Sequence, residues 1–223
     1  MRVGIRYNRF AHRRALVTRS PMIVNTGQEQ PNTFAFNSSE HFTNTAGTQD
    51  QPPLIIRRAS AADIHAMWRA LAYAARWNST EQLSATHTLS ENSNNDNDHI
   101  TRYLDMWKPR TDLGVVAERG GEVLGACWAS TMTSSRPGYG YVSDTIPELV
   151  IGIEPSYRGT GIGNKLVSDL IQQATENRVE GISLSVDRLN KPARALYERH
   201  GFAQVGQEGN SLTMVLLLRV GLK

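Results

Sequence analysis

The run Arg158-Gly159-Thr160-Gly161-Ile162-Gly163 lies between an apolar stretch, Leu149 to Ile153, and an amphipathic one that begins at Ile162. A strand, a glycine-rich turn and a helix start together make an anion site. The first helical N–H groups have no intrahelical partner, and the helix dipole adds positive potential there. Glycine lets the backbone approach a phosphate closely. Spacing separates the nucleotide-binding devices that share this plan. A P-loop needs G-x-x-x-x-G-K-[ST]. Counted from Gly159, Asn164 stands where the second glycine belongs and Leu166 where the magnesium-binding hydroxyl belongs, so that pattern fails. A dinucleotide fold needs G-x-G-x-x-G/A directly after the strand. Gly159 and Gly161 fit it, but Asn164 takes the third glycine position and five residues separate Ile153 from Gly159. Asp187 lies farther on than the roughly 20 residues expected of a ribose ligand. Elsewhere, the single cysteine, Cys127, excludes an internal disulfide and any multi-cysteine metal site, and reads as a small buried hydrophobe. No spacing of His, Cys or carboxylates suggests a metal, and His65 and His200 fall on predicted helices as structural or exposed residues.

The elements that must position this loop follow from periodicity. Residues 1–53 hold Asn, Thr, Gln, Ser and Gly with no sustained period, and read as a flexible, disordered N-terminal arm. Order is expected from Leu54, over residues 54–223. Leu54 to Arg58 reads as a strand. Ser60 then caps a helix with Asp63 in its first turn and Ile64, Met67, Trp68, Leu71 and Ala75 on one face. Ser84 to Asp98 is polar enough for a surface loop, and a second helix carries Ile100, Tyr103, Leu104 and Trp107 and stops before Pro109. Leu113 to Glu118 and Val123 to Thr131 form a hairpin across Gly120-Gly121. Ser134 to Asp144 is an aromatic loop, and Leu149 to Ile153 a third strand. The helix after the glycine loop buries Ile162, Leu166, Val167, Leu170, Ile171 and Ala174. Ile182 to Val186 is a strand, Asn190 and Pro192 open a helix ending at Gly201, and Phe202 to Val205 and Leu212 to Leu218 close the chain. The expected order is β-α-α-β-β-β-α-β-α-β-β: one α/β domain, a mixed and mostly antiparallel sheet flanked by helices.

Arg158-x-x-Gly161-x-Gly163 resembles the R/Q-x-x-G-x-G/A loop of the GNAT superfamily of acetyltransferases. Its flanks resemble that family too: Pro147-Glu148-Leu149-Val150-Ile151-Gly152-Ile153-Glu154-Pro155 before it, and Asn190-x-x-Ala193-x-x-Leu196-Tyr197-Glu198-x-x-Gly201-Phe202 after it. The resemblance spans most of the chain from Leu54 and is densest between Glu148 and Phe202. It implies acetyl-CoA as acyl donor. Backbone groups of Ile151, Gly152 and Ile153 would pair with the pantetheine arm in a gap between strands. Arg158, Gly159, Thr160, Gly161, Ile162 and Gly163 would hold the pyrophosphate, with a charge-assisted contact from Arg158, and Asn190 would touch the cofactor near the thioester. Asn190 also suits a helix cap.

The implied reaction is attack of a neutral amine on a thioester, which needs a base, donors for an oxyanion, and an acid for the leaving thiolate. Tyr197 matches the family's general acid; its other reading is a core aromatic. Glu148 matches a carboxylate that several relatives use as base; its other reading is a solvated strand start, and Asp144 is the reserve. Glu154 points towards the loop. The first two helices and the loop before the central strand would wall the acceptor pocket with Tyr73, Trp77, Tyr103, Trp107, Tyr139 and Tyr141, of which Trp107 and Tyr103 also suit plain core packing. Leu184-Ser185-Val186-Asp187 followed by Asn190 and Tyr197 is similar to acetyltransferases of ribosomal-protein N-termini, while the two early helices and the polar insertion depart from them. The acceptor expected is a small-molecule amine or a protein N-terminus. A second reading is a sensor that binds acetyl-CoA without turnover.

The 223 residues carry a formal net charge of +3, but six arginines precede the first acidic residue, Glu29, and taking six from +3 leaves −3. The body therefore has no basic footprint for nucleic acid. The Arg-rich leader reads either as an organelle presequence or as sequence upstream of a start at Met22. No apolar run is long enough to cross a bilayer. With one cysteine, a cytoplasmic setting is expected, as a monomer or a homodimer joined through the late strands.

Overall fold

A computed structural model describes residues 51–78 and 96–218. The expected arm, all but its last three residues, lies outside the described residues, as does most of the expected polar loop. The chain divides into two units, Met1–Thr48 and Gln49–Lys223, and the elements below belong to the second.

Eleven main elements follow one another: β1 Leu54–Arg58, α1 Ile64–Ala75, α2 Asp96–Asp105, β2 Leu113–Arg119, β3 Glu122–Ser130, β4 Glu148–Ile153, α3 Ile162–Glu176, β5 Gly181–Asp187, α4 Lys191–Arg199, β6 Ala203–Glu208 and β7 Ser211–Leu217. Their order is the one the periodicity predicts. The helix α2 begins at Asp96, inside the stretch expected to be a loop, because the polar run Asp96-Asn97-Asp98 opens a helix instead of preceding one.

The strands form one sheet in the order β1-β2-β3-β4-β5-β7-β6. Every neighbouring pair is antiparallel except β4 with β5. Strand alternation sends successive side chains to opposite faces, so β2, β3 and β4 serve two cores. On one face Val115, Cys127, Ala129, Leu149, Ile182 and Leu184 pack under Ile162, Leu166 and Leu170 of α3 and Tyr197 of α4. On the other, Val116, Ala126 and Trp128 pack under Met67, Ala70 and Leu71 of α1 and Tyr103 and Leu104 of α2.

The start of α1 is pinned to β1. The Asp63 carboxylate accepts from the Arg57 guanidinium at 2.9 and 2.8 Å, and from the Ser60 N–H and hydroxyl at 2.8 and 2.9 Å. Hydrogen bonding to Arg57 holds that carboxyl down to about 2. Further along, α1 crosses β4 with nothing between the two backbones: a Cβ on Gly152 would lie 1.8 Å from the Ala70 carbonyl oxygen.

Candidate active site

The parallel seam between β4 and β5 is short. A single register pair, Glu148 with Ser183, joins the strands, and the Ser183 N–H bonds the Pro147 carbonyl at 3.0 Å just before it. Beyond that pair β4 parts from β5. Hydrogen-bonding directions alternate along a strand. Pro147 bonds towards β5, whereas the Glu154 N–H bonds the Leu124 carbonyl at 2.9 Å, beside β3. By that alternation the backbone groups of Ile151 and Ile153 point into the opening. Those of Gly152 point to β3, so Gly152 departs from the expected pantetheine contact. Its lack of a side chain serves the crossing of α1.

The glycine loop continues from β4. A single 3₁₀ turn, Pro155–Tyr157, leads to Gly159 and Gly161 with φ of +77° and +88°, a left-handed conformation that glycine takes without strain. A Cβ at either would meet nothing within 4 Å, so the loop's outer side is open. Gly161 caps α3 without a side-chain hydrogen bond, and the first turn of α3 holds no acidic residue. The N–H groups at this helix start therefore keep both their positive potential and their lack of a side-chain partner, as an anion site needs. The Thr160 hydroxyl donates to the Tyr157 carbonyl at 2.7 Å within the loop. Arg158 makes contacts within the chain. Its guanidinium bonds the Ile153, Tyr73 and Trp77 carbonyls at 3.3, 3.2 and 3.0 Å, and so grips the end of α1, where a cation suits the exposed carbonyls.

Glu148 is buried, 2% exposed, on the α1–α2 face of the sheet. Its Oε1 accepts from the Tyr103 hydroxyl at 2.6 Å and from the Gly140 N–H at 2.6 Å. Its Oε2 is buried with no hydrogen-bond partner. Burial raises the carboxyl to about 7, against the opposing pull of Tyr103, Gly140 and the Arg102 guanidinium. The loop before β4 closes over this group. The Tyr139 N–H bonds the Tyr103 hydroxyl at 2.8 Å, and the buried Arg102 bonds the Pro137 carbonyl. A Cβ on Gly138 would lie 2.1 Å from Oε2. A solvated strand start is thereby ruled out for Glu148.

The other candidates sort by their contacts. Tyr197 is buried on the α3–α4 face, its ring tilted against Phe202 at 5.8 Å, and burial raises its hydroxyl well above the usual tyrosine value. Asn190 caps α4, its side chain accepting from the Ala193 N–H at 3.2 Å. Asp144 ties the loop internally, accepting from the Ser134 N–H at 2.9 Å and from the Tyr141 hydroxyl. Glu154 accepts from the Ser156 hydroxyl at 2.8 Å. Of the aromatic wall, Trp107 is a core residue whose indole N–H bonds the Leu113 carbonyl at 3.0 Å, whereas the exposed Tyr139 stacks on Tyr103 at 6.5 Å. His200 meets the Asn164 side chain at 3.1 Å and joins α4 to α3. Sequence reasoning missed Arg102, Gly138, Gly140 and Ser183. The alternating glycines of Pro137-Gly138-Tyr139-Gly140 were the available signal, since such spacing marks close backbone approach.

Among the described residues there is no group of metal-ligating side chains, and no helix long and apolar enough to cross a membrane.

Comparison with known proteins places this geometry. A mycothiol acetyltransferase of Streptomyces bingchenggensis is 33% identical over 87 residues, 39% of this chain and 26% of that protein. One from an Arthrobacter species is 24% identical over 128 residues, 57% of this chain and 38% of that protein. The chain thus spans well under half the length of these curated relatives. A ribosomal-protein-alanine N-acetyltransferase from Brucella melitensis superposes with a TM-score of 0.52 at 26% identity, covering 74% of this chain and 99% of that one. A putative acetyltransferase from Salmonella typhimurium, solved with its cofactor acetyl-CoA, superposes with a TM-score of 0.52 at 19% identity, covering 76% and 96%. The model of the acetyltransferase (GNAT) family matches residues 77–202, more than half of the sequence, and the chain belongs to that family.

Proposed function

We propose that this chain is an N-acetyltransferase that moves an acetyl group from acetyl-CoA to a primary amine, on a small molecule or a protein N-terminus, by direct attack on the thioester. One observation carries the reading: a buried carboxyl, Glu148, raised to about 7, stands where β4 and β5 begin to part. A general base works best with a value near the operating pH, and a binding protein without turnover has no use for one.

Acetyl-CoA supplies an acetyl group activated as a thioester. The acid-free helix start at Ile162 and Gly163 and the loop Gly159 to Gly161 fit its pyrophosphate, and the backbone of Ile151 and Ile153 fits its pantetheine amides. Ionised Glu148 takes a proton from the acceptor's ammonium group, freeing a lone pair on nitrogen. N–H groups of the parted β4 strand stabilise the negative charge that gathers on the carbonyl oxygen. The C–S bond breaks as the Tyr197 hydroxyl gives its proton to the thiolate, and the attacking nitrogen sheds its second proton to solvent, which reprotonates the tyrosinate. Tyr197 holds its proton at neutral pH, as an acid must, although burial raises its hydroxyl and makes it the weaker donor. The relatives named for mycothiol and for a ribosomal-protein alanine leave both acceptor kinds in play. Cytoplasm, where acetyl-CoA and a reduced Cys127 coexist, is the setting proposed.

The test is thiol release from acetyl-CoA over a panel of primary amines and N-terminal peptides. Glu148→Gln is expected to lower kcat by about 100-fold and to leave acetyl-CoA affinity unchanged. Unimpaired turnover by that variant sinks the reading.

A further inference from the structure

Glu148 is sealed from water, yet it must carry a charge to act. A carboxylate taken out of water is costly unless donors and an opposite charge compensate it. Two donors reach Oε1, the Tyr103 hydroxyl and the Gly140 N–H, both at 2.6 Å. The opposite charge comes from α2. Arg102, next to Tyr103 in the chain, is 4% exposed beside 2% for Glu148. An arginine keeps its charge when buried, whereas a buried lysine sheds its proton readily. Of the described charged groups, Arg102 alone bears on the ionisation of Glu148, and it favours the carboxylate. The other neighbours are uncharged: Tyr103 from α2, Gly140 from the loop, and Ser130 and Ser183 at the paired positions of β3 and β5.

Arg102 also fixes where those donors stand. The Tyr103 carbonyl ties α2 to β3, accepting from the Trp128 indole N–H and the Ser130 hydroxyl, both at 2.8 Å. From that footing α2 holds the loop before β4 at successive points. Arg102 donates to the Pro137 carbonyl, and the Tyr103 hydroxyl accepts from the Tyr139 N–H at 2.8 Å. The next residue, Gly140, gives its N–H to Glu148. The loop has little room to shift. A Cβ on Gly138 would lie 2.1 Å from Oε2, and one on Gly140 would lie 2.4 Å from the Leu184 carbonyl carbon of β5. The place of the Gly140 N–H thus depends on the anchor at Pro137.

Given the role proposed for Glu148, on which this inference rests, we propose that Arg102 is the positioning residue of the base: its guanidinium anchors the loop that delivers the Gly140 N–H, and its fixed charge balances the ionised carboxylate. Arg102 touches no reacting atom and moves no proton. Without its charge Glu148 stays a neutral acid over more of the pH range, and turnover is lost first near neutral pH. No pattern in the sequence marks Arg102, because its partner is a backbone carbonyl 35 residues on.

Arg102→Met removes the charge and the fork, and Arg102→Lys removes the fork alone. In carbon-13 NMR titration of the full chain, Arg102→Met is expected to raise the Glu148 midpoint by about one pH unit, and Arg102→Lys to raise it less. The acid limb of kcat/KM should move up by the same amount, so that the loss at pH 7 exceeds the loss at pH 9 about fivefold. A midpoint unmoved by Arg102→Met, or an activity lowered equally at both pH values, makes Arg102 a structural residue and overturns the assignment. Wild-type protein gives a test that no variant's folding can spoil. The nitrogen-15 signals of the Arg102 guanidinium are expected to shift with the midpoint of Glu148, and signals indifferent to that titration also overturn the assignment. The two readings fail separately. Full turnover by Glu148→Gln removes the base, whereas an unmoved midpoint in Arg102→Met beside an inactive Glu148→Gln removes the role of Arg102 alone.

Discussion

At Glu148 burial and hydrogen bonding pull in opposite directions, and burial wins. The Tyr103 hydroxyl, the Gly140 N–H and the Arg102 guanidinium all favour the carboxylate, yet the group rises to about 7. As a base it is competent only when ionised, so kcat/KM is expected to rise with pH through about 7 and level off above it. Glu148→Gln should abolish that limb in a pH–rate profile. Tyr103, which bonds Glu148 at 2.6 Å, would act through it as a positioning residue on the proposed mechanism. Tyr197→Phe tests the other end of the reaction, with kcat expected to fall about 100-fold and the dissociation constant of acetyl-CoA to hold in calorimetric titration. Equal losses in both would make Tyr197 a core aromatic. The sequence pointed to both residues through their motifs. It could not show that Glu148 is sealed under Pro137 to Gly140, because the seal also needs α2: Tyr103 lies 45 residues from Glu148 and Arg102 lies 35 from Pro137.

At the scale of elements, the glycine loop was readable because its requirement is local. Gly159 and Gly161 need positive φ, and spacing alone shows where such residues stand. Gly161→Ala forces a Cβ into that conformation and is expected to cost about 1 kcal/mol and to weaken acetyl-CoA binding several-fold by calorimetry. The destination of Arg158 was not readable, since its partners are backbone carbonyls at Tyr73 and Trp77, which have no side-chain signature. Gly152 resisted for the same reason: its neighbour is the Ala70 backbone. The seating of α1 on β1 is a matter of charge. Asp63 is buried and bonds Arg57 twice, but Arg57 is 37% exposed and keeps Glu118 at 2.8 Å, so Asp63→Ala, which also removes the cap on Ser60, is expected to lower stability by about 1 kcal/mol in denaturant unfolding.

The whole molecule answers to pH with two opposed signs. The folded value of Glu148, about 7, lies above its ordinary 4.5. The unfolded chain therefore releases that proton first as pH rises, and stability falls between about 4.5 and 7. Glu148→Gln removes the penalty, and is expected to unfold later than wild type at pH 8 by at most about 3 kcal/mol, with the gap closing below pH 4.5. Asp63 runs the other way. Its folded value of about 2 lies below 3.8, so the stability it adds is present above 3.8 and lost as pH falls towards 2. The order of elements and the inner faces of α1 and α3 were legible, because strand and helix periods survive in the sequence. The parting of β4 from β5 was foreseen only through family resemblance, since no residue type encodes a missing pair. That parting has a mechanical consequence. With α1 backbone-to-backbone on β4, strands β1 to β4 form one leaf, and β5, β7 and β6 form another. Glu148 and Ser183 are the spine of this book. Admitting a pantetheine arm then means turning one leaf about the spine, so a distance measured between labels at the far ends of β4 and β5 should lengthen on acetyl-CoA binding while one across Glu148 and Ser183 stays fixed. The atoms proposed to move the proton would sit at the one place in the cleft that does not move.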